Sequence, residues 1–437
     1  MLDLVDIPRV LFISPVAFNP YTGGGATFTS LLQGWPKDRL STIHNDRAPS
    51  PSDVCENYFV LGPQELDFVP PFNALRRRGP ETREPDKAPR SHQTDKRRRR
   101  AIDTVRELVL GDSIPERARL TPELACWIEN FRPQVIYTIL GSNGMMSLIE
   151  QIRKRFDLPM VVHIMDDWAT AAHRKGLFAA LERPIMERQL VHFFRVAAAC
   201  LGISPAMCEA YQQRYGRPFM PFQYALDRER WGSIAKSDLR VSNVPEILYV
   251  GSIFRNAQLG SLADCANAVA ALNEDGFPLR LRIATSAANG ARFGHLLSVH
   301  PNVVLDTANA DDEAFFRGLT EADALLLPVN FDEPSVNFIR YSMPTKVPAY
   351  LNSGTPILAY GSTETAQIRY AMDAGWGLVV PERSEQALKE ALKRMVSENS
   401  LRSKLSSAAR MAAASHDART VRVGFQEVLR QAAQYRS

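Results

Sequence analysis

The segment 341–360 constrains the fold more than any other part of this sequence. It reads Tyr-Ser-Met-Pro-Thr-Lys-Val-Pro-Ala-Tyr-Leu-Asn-Ser-Gly-Thr-Pro-Ile-Leu-Ala-Tyr. We predict a helix that begins at Pro344, where the missing N–H is not needed, with Ser342 as its cap and Gly354 at its end. The apolar residues that close the segment predict a short buried strand. The helix start offers free N–H groups, hydroxyls and the Lys346 ammonium, which together suit a diphosphate.

Strands and helices alternate along the rest of the chain, a pattern typical of parallel sheets flanked by helices. An apolar strand at 9–14 leads through the glycine triplet 23–25 into a helix. The same succession of strand, loop and helix begins again with the strand at 246–251. A chain of 437 residues is long for one core, so we expect two domains. The predicted parts are an N-terminal domain at 1–228, a linker at 229–245, a C-terminal domain at 246–418 and a closing helix at 419–437.

The pattern Tyr-Ser-x-Pro-x-Lys, followed by Tyr-Leu-x-x-Gly-x-Pro-Ile-Leu-Ala, resembles the donor-site signature of GT-B glycosyltransferases of the family-four group. The resemblance implies an α/β fold of two doubly wound, Rossmann-like domains that face each other across a cleft. It also implies that Ser342, Thr345 and Lys346 bind the diphosphate of a nucleotide-sugar. Two positions depart from the family, whose paired glutamates would fall on Tyr341 and Ala349; the second of them binds the ribose diol. The alternative is an ordinary proline-started helix.

The resemblance implies further donor contacts, each of which has a plainer alternative. Gly24 and Gly25 match a glycine loop between donor and acceptor, although a flexible turn explains them equally well. Ser252 stands where the family has a phosphate-binding arginine, which leaves Arg255 to neutralise phosphate unless it is simply an exposed loop residue. Acidic candidates for the missing ribose contact, which loop solvation would also explain, are Glu333 and Glu364.

Two adjacent carboxylates, Asp166 and Asp167, follow the apolar strand at 159–164. Ligands of open α/β sheets bind at this edge, where a carboxylate can contact an acceptor hydroxyl or a developing positive charge. Neighbouring acids in a cleft would raise each other's pKa. The alternatives are that they cap the next helix, or that His163 serves instead, although a lone histidine in an apolar strand is usually a core residue. We predict Asp166 and Asp167 as the catalytic residues.

Residues 76–100 form a basic, proline-rich insert with eleven Lys/Arg and four acids, a net charge of +7 against +4 for the whole chain. Such a composition predicts a segment that does not fold alone. It is either a solvated loop or a contact with an anionic membrane surface, where each base contributes roughly 1 kcal/mol. Nucleic-acid binding is disfavoured because no aromatic residues interleave the bases.

The composition of the chain bears on the cellular location of the protein. The hydrophobic content of 45% is that of a globular protein, and no run of eighteen apolar residues predicts a membrane span. Acids stand near the N-terminus where a secretory signal would carry bases. Five scattered cysteines show no metal-binding spacing. These features predict a cytoplasmic protein, peripheral to the inner membrane face if residues 76–100 contact lipid.

The resemblance therefore predicts a hexosyltransferase-like enzyme of polysaccharide or glycoconjugate biosynthesis. It would move a sugar from a nucleotide-diphosphate donor to the hydroxyl of a glycan, lipid-linked or small-molecule acceptor, with retention of configuration by analogy. No Asp-x-Asp pattern is present, so we expect no metal and no other cofactor. Two rival hypotheses are a non-catalytic relative that binds glycan or a partner protein, and a nucleotide-sugar epimerase.

Overall fold

The computed structural model describes residues 7–19, 23–46, 53–75, 113–174, 176–308 and 312–435. The basic insert 76–100 lies outside these residues. No helix in the described ranges combines the length and the apolar character needed to cross a bilayer.

The first half of the chain builds one parallel sheet, its flanking helices and a small ribbon. Its elements are β1 (Val10–Ile13), α1 (Gly23–Leu32), β2 (Leu40–His44), β3 (Asn57–Val60), β4 (Leu66–Phe68), β5 (Glu116–Ala118), α2 (Pro122–Phe131), β6 (Val135–Thr138), α3 (Asn143–Phe156), β7 (Met160–Ile164), α4 (Trp168–Ala171), α5 (Ala179–Val196), β8 (Ala199–Gly202), α6 (Pro205–Tyr215), β9 (Met220–Pro221) and α7 (Arg228–Gly232).

The second half repeats this plan. Its elements are β10 (Glu246–Val250), α8 (Leu259–Glu274), β11 (Arg280–Thr285), α9 (Ala287–Leu297), β12 (Val303–Thr307), α10 (Asp312–Glu321), β13 (Ala324–Pro328), α11 (Glu333–Ile339), α12 (Lys346–Ser353), β14 (Ile357–Tyr360), α13 (Ala366–Asp373), β15 (Gly377–Val380), α14 (Glu385–Ser397), α15 (Asn399–Ala412) and α16 (Ala418–Gln434).

Each half has its own sheet, and both sheets are doubly wound. The first has the order β3-β2-β1-β6-β7-β8-β9 and the second β12-β11-β10-β13-β14-β15, with β4 and β5 forming a separate antiparallel ribbon. All neighbouring strands within the two large sheets are parallel. The strand order reverses between β1 and β6 and again between β10 and β13. Open sheets of this kind bind ligands at these switch points, beyond the carboxyl ends of the strands.

The helix predicted from Pro344 begins two residues later, at Lys346. Pro344 instead belongs to a turn, in which its carbonyl accepts from the Val347 N–H at 3.0 Å. Ser342 does not cap the helix, and the Thr345 side chain makes no capping bond either. The predicted end is correct, because Gly354 adopts φ 69°, a conformation that glycine tolerates best.

Helix α16 crosses back from the second half of the chain and packs on the first sheet. Phe425 is fully buried there, with its ring centre 5.1 Å from that of Tyr137. Arg422 donates from Nε to the Ser30 carbonyl of α1 at 2.7 Å. Residues from both ends of the described chain therefore share one apolar cluster with Phe12 at its centre.

Candidate functional site

The second sheet splits at its switch point. Strand β10 pairs with β13 only at Ile247 and Leu248. Further along, the Val250 N–H donates to the Tyr350 hydroxyl of α12 at 3.0 Å instead of to a neighbouring strand. Because Tyr350 takes over this backbone donor, the two strands can diverge without leaving a buried N–H unpaired. Beyond Leu248 the two strands are no longer paired, and it is at such carboxyl ends that open α/β sheets form a ligand crevice.

Lys346 lies in this crevice. Its ammonium is 4.0 Å from the centre of the Tyr249 ring, a cation–π contact, and the Tyr249 hydroxyl donates to the Ser252 carbonyl at 2.6 Å. Gly251 makes room for the ammonium: with φ 134°, it would place a Cβ only 3.0 Å from Lys346 Nζ. Burial lowers the Lys346 pKa to about 7, and no ion pair with a carboxylate forms at Lys346 among the residues that the structure describes. A cation without a counter-charge favours an anionic ligand.

Asp166 faces this region from the first domain, just beyond β7. Its Oδ1 accepts a hydrogen bond of 2.9 Å from the Ser342 hydroxyl. Desolvation by neighbouring protein atoms raises the Asp166 pKa, although the bond from Ser342 opposes the shift. The residue as a whole is exposed to solvent, as expected for a group on the wall of a cleft. The fold thus brings together Ser342, which we predicted to bind the donor, and Asp166, which we predicted to be catalytic.

Asp167 has a different environment. It is 5% exposed, and its carboxylate accepts from the Tyr211 hydroxyl at 2.7 Å and from both terminal nitrogens of Arg214, at 3.0 and 3.3 Å. These bonds hold α6 against the end of β7. The raised pKa of Asp166 comes from desolvation and not from its neighbour, in contrast to the cause that the sequence suggested. Asp167 is occupied in packing the domain.

The glycine triplet does not form a loop. Gly24 and Gly25 lie in the first turn of α1, which begins at Gly23. A Cβ on Gly24 would be 3.7 Å from the Met165 sulfur, an ordinary contact, so this helix start lies beside the end of β7. The predicted loop conformation is therefore wrong, and the donor contact of Gly24 and Gly25 stays a prediction.

The remaining donor candidates are more dispersed. Glu333 is exposed at the first turn of α11. Glu364 pairs with Arg340 at 2.7 Å, so a ribose would have to share it with that guanidinium. Arg255 is exposed and its guanidinium carbon lies 5.6 Å from the centre of the Phe293 ring. The contacts of these residues do not connect them to Lys346, and their roles stay predictions.

His163 is a core residue. Its Nε2 donates to the Phe222 carbonyl at 3.0 Å, so its Nδ1 accepts from the Tyr137 hydroxyl at 2.8 Å. Complete burial lowers the His163 pKa to about 3, which keeps the imidazole neutral. The preference for the aspartates over this histidine is consistent with its burial.

Comparison with known proteins identifies solved structures with a similar fold. No protein-family model matches the chain, and no curated protein matches it. Among solved structures, sucrose-phosphate synthase from Thermosynechococcus elongatus is similar over 97% of this chain and 98% of its own, with a TM-score of 0.63 and 14% identity. WaaG, a glycosyltransferase involved in lipopolysaccharide biosynthesis, gives 0.57 and 14% over 96% and 99%. Anabaena HepE in complex with UDP gives 0.58 and 12% over 96% and 99%.

The chain has the GT-B fold. Within this GT-B fold, the sequence showed no sign of a role for Tyr249, and it placed Tyr350 in the motif without a role, because aromatic residues in a buried strand and helix look like ordinary core. Gly251 carried a signal, as a glycine placed directly after an apolar strand. No group of three or more potential metal ligands of the His, Cys, Asp and Glu types occurs within the described ranges.

Proposed function

We propose that this protein is a glycosyltransferase that moves a sugar from a nucleotide-diphosphate donor to an acceptor hydroxyl. The observation that carries the proposal is Lys346, an ammonium that has no counter-charge among the described residues and lies in the switch-point crevice of the second domain. Asp166 faces the same turn from the first domain, 2.9 Å from Ser342. A diphosphate beside Lys346 would place the donor sugar between the two domains.

The chemistry asked of these residues is limited. Lys346 neutralises the charge that develops on the departing diphosphate, in a site whose low polarity strengthens the interaction. Asp166, with its raised pKa, can hydrogen-bond the acceptor hydroxyl and take up its proton. The two domains supply orientation by holding both substrates at one crevice. This set of groups needs no metal, and we propose a metal-independent reaction with retention of configuration.

The solved neighbours favour a sugar nucleotide as donor. HepE has been solved with UDP, with UDP-glucose and with UDP and glucose together. WaaG acts in lipopolysaccharide biosynthesis. For this chain we propose a nucleotide-sugar donor and a glycan or lipid-linked acceptor. The net charge of +7 at 76–100 supports contact with an anionic membrane. Sedimentation with vesicles of anionic lipid, compared with neutral vesicles, tests this, and equal binding to both would contradict it.

Calorimetric titration with UDP and GDP tests the proposed function directly. We expect saturable heat with one of them, lost in Lys346→Ala and kept in Lys404→Ala, a control on the exposed face of α15. No heat with either nucleotide would favour the non-catalytic rival. Incubation with the matching nucleotide-sugar then separates the enzymes: nucleotide release that depends on an acceptor supports transfer, whereas an isomerised donor without acceptor supports the epimerase.

A further inference from the structure

Two hydrogen bonds join the domains at the turn that precedes α12. The Ser204 hydroxyl donates to the Tyr341 carbonyl at 2.7 Å, and the Ser342 hydroxyl donates to Asp166 Oδ1 at 2.9 Å. Ser204 follows β8 by two residues and Asp166 follows β7 by two residues. The carboxyl edge of the first sheet thus holds two consecutive residues of the second domain, at the start of the turn that leads to Lys346.

Ser204 is suited to this contact by its chemistry and its burial. It is 1% exposed, so water does not compete for its bonds. Its oxygen accepts from the Met207 N–H at 3.1 Å as the cap of α6, while its proton is donated to the Tyr341 carbonyl. A hydroxyl can accept and donate at once, whereas an aspartate at this position would cap the helix but have no proton to give.

We propose that Ser204 is a positioning residue for the donor. It fixes the main chain at Tyr341, and through the turn it keeps the Lys346 ammonium over Tyr249 in the crevice. The first domain, which would bind the acceptor, therefore sets the affinity of the second domain for a nucleoside diphosphate. This inference rests on the proposed function only in taking a diphosphate as the ligand of Lys346.

The test compares Ser204→Gly with Ser384→Gly in the full chain. Glycine is nearly as good a helix cap as serine, so both variants should fold. Ser384 caps α14 by accepting from the Ala387 N–H at 3.2 Å and makes no bond to the first domain among the described residues. Ser204→Thr, which keeps the hydroxyl, serves as the rescue variant. Hydrogen exchange of the segment 339–347 and calorimetric titration with UDP are measured for all.

We expect faster exchange of this segment and roughly five- to tenfold weaker UDP binding in Ser204→Gly, the size of effect of one lost buried hydrogen bond. Ser384→Gly and Ser204→Thr should match the wild type in both measurements. Unchanged exchange in Ser204→Gly would overturn the positioning role, and faster exchange with unchanged UDP affinity would overturn its link to the donor. If the wild type binds neither UDP nor GDP, the proposed function fails, and so does the effect of Ser204 on donor affinity. The hydrogen-exchange data would still show whether Ser204 holds the turn before α12 in place.

Discussion

The Lys346 ammonium and the Tyr249 ring meet at 4.0 Å where β10 and β13 separate. The contact gives the cation one favourable neighbour but no counter-charge, so burial brings its pKa down to about 7. A bound diphosphate would supply the missing charge and raise the pKa again. Donor binding and proton uptake are therefore coupled at this one side chain.

This coupling predicts the pH dependence of nucleotide binding. Above pH 7 the free protein loses the Lys346 proton and must regain it on binding, so affinity falls by up to about tenfold per pH unit until the pKa of the complex is reached. At pH 8, calorimetry in buffers of different ionisation enthalpy should show uptake of close to one proton. In Lys346→Arg, whose guanidinium stays charged, the uptake should vanish. An unchanged uptake in that variant would assign the proton elsewhere.

Gly251→Ala should weaken nucleotide binding. A Cβ there would be 3.0 Å from Lys346 Nζ and 3.3 Å from Cε, and the φ of 134° is unfavourable for alanine. Gly276→Ala is the control, because φ is 82° but nothing lies within 4 Å of the added carbon. Both variants should lose about 1–2 kcal/mol of unfolding free energy from backbone strain. Only Gly251→Ala should weaken UDP binding more than tenfold; equal binding by the two variants would contradict the close approach.

The two adjacent aspartates should differ when each is replaced by asparagine. Asp166→Asn keeps an acceptor for Ser342, so UDP binding should change less than twofold, while turnover falls by roughly 10²–10⁴-fold as for loss of a proton acceptor. Asp167→Asn should instead lower the unfolding free energy by about 2–3 kcal/mol, less than for a fully buried pair because the Arg214 side chain is 34% exposed. Urea unfolding and initial rates measure the two effects. Equal turnover losses without destabilisation would refute this division.

Buried histidines predict acid sensitivity of the fold. The pKa of His163 is lowered to about 3 and that of His416 to about 4, against about 6.5 for the unfolded chain. Between pH 6.5 and 4 the unfolded state binds more protons, so stability is fully present above pH 6.5 and declines as the pH falls. Each histidine contributes a slope of up to about 1.4 kcal/mol per pH unit. Urea unfolding at pH 7, 6 and 5 measures the slope, which His163→Gln should reduce and His295→Gln, on the exposed face of α9, should not.

Chelation should leave the reaction unaffected. Lys346 is proposed to stabilise the leaving diphosphate, the task that a divalent ion performs in other nucleotide-sugar sites. Rates of nucleotide release with and without EDTA should agree within error. A rate that disappears on chelation and returns with Mg²⁺ would show that Lys346 does not carry this role alone.

Local sequence patterns predict the architecture but not the contacts of the candidate site. Both sheets follow from the alternation of apolar strands and amphipathic helices, and the end of α12 follows from Gly354. The start of α12 was misplaced because Ser342, the expected cap, bonds to Asp166, 176 positions away. Lys346 was predicted at a diphosphate site from the residues beside it. Its partner Tyr249 was not, because that contact joins two distant segments.

Contacts between distant segments also explain why Asp166 and Asp167 have different environments. In the sequence the two carboxylates are equivalent, and only the fold separates them. One turns to the cleft and bonds to Ser342, while the other turns to Tyr211 and Arg214 on α6. Which of the two turns to the cleft depends on Tyr211 and Arg214, which lie over forty residues further along the chain, a distance that a local pattern does not span.

The return of α16 to the first sheet also bears on how the molecule is made. Phe425 and Leu429 are fully buried against the aromatic cluster around Phe12, so that cluster is not closed until the last helix arrives. During translation this apolar face of the first domain stays uncovered until the second domain has left the ribosome. The first domain therefore completes its core only when the second domain has been made and α16 has packed against it.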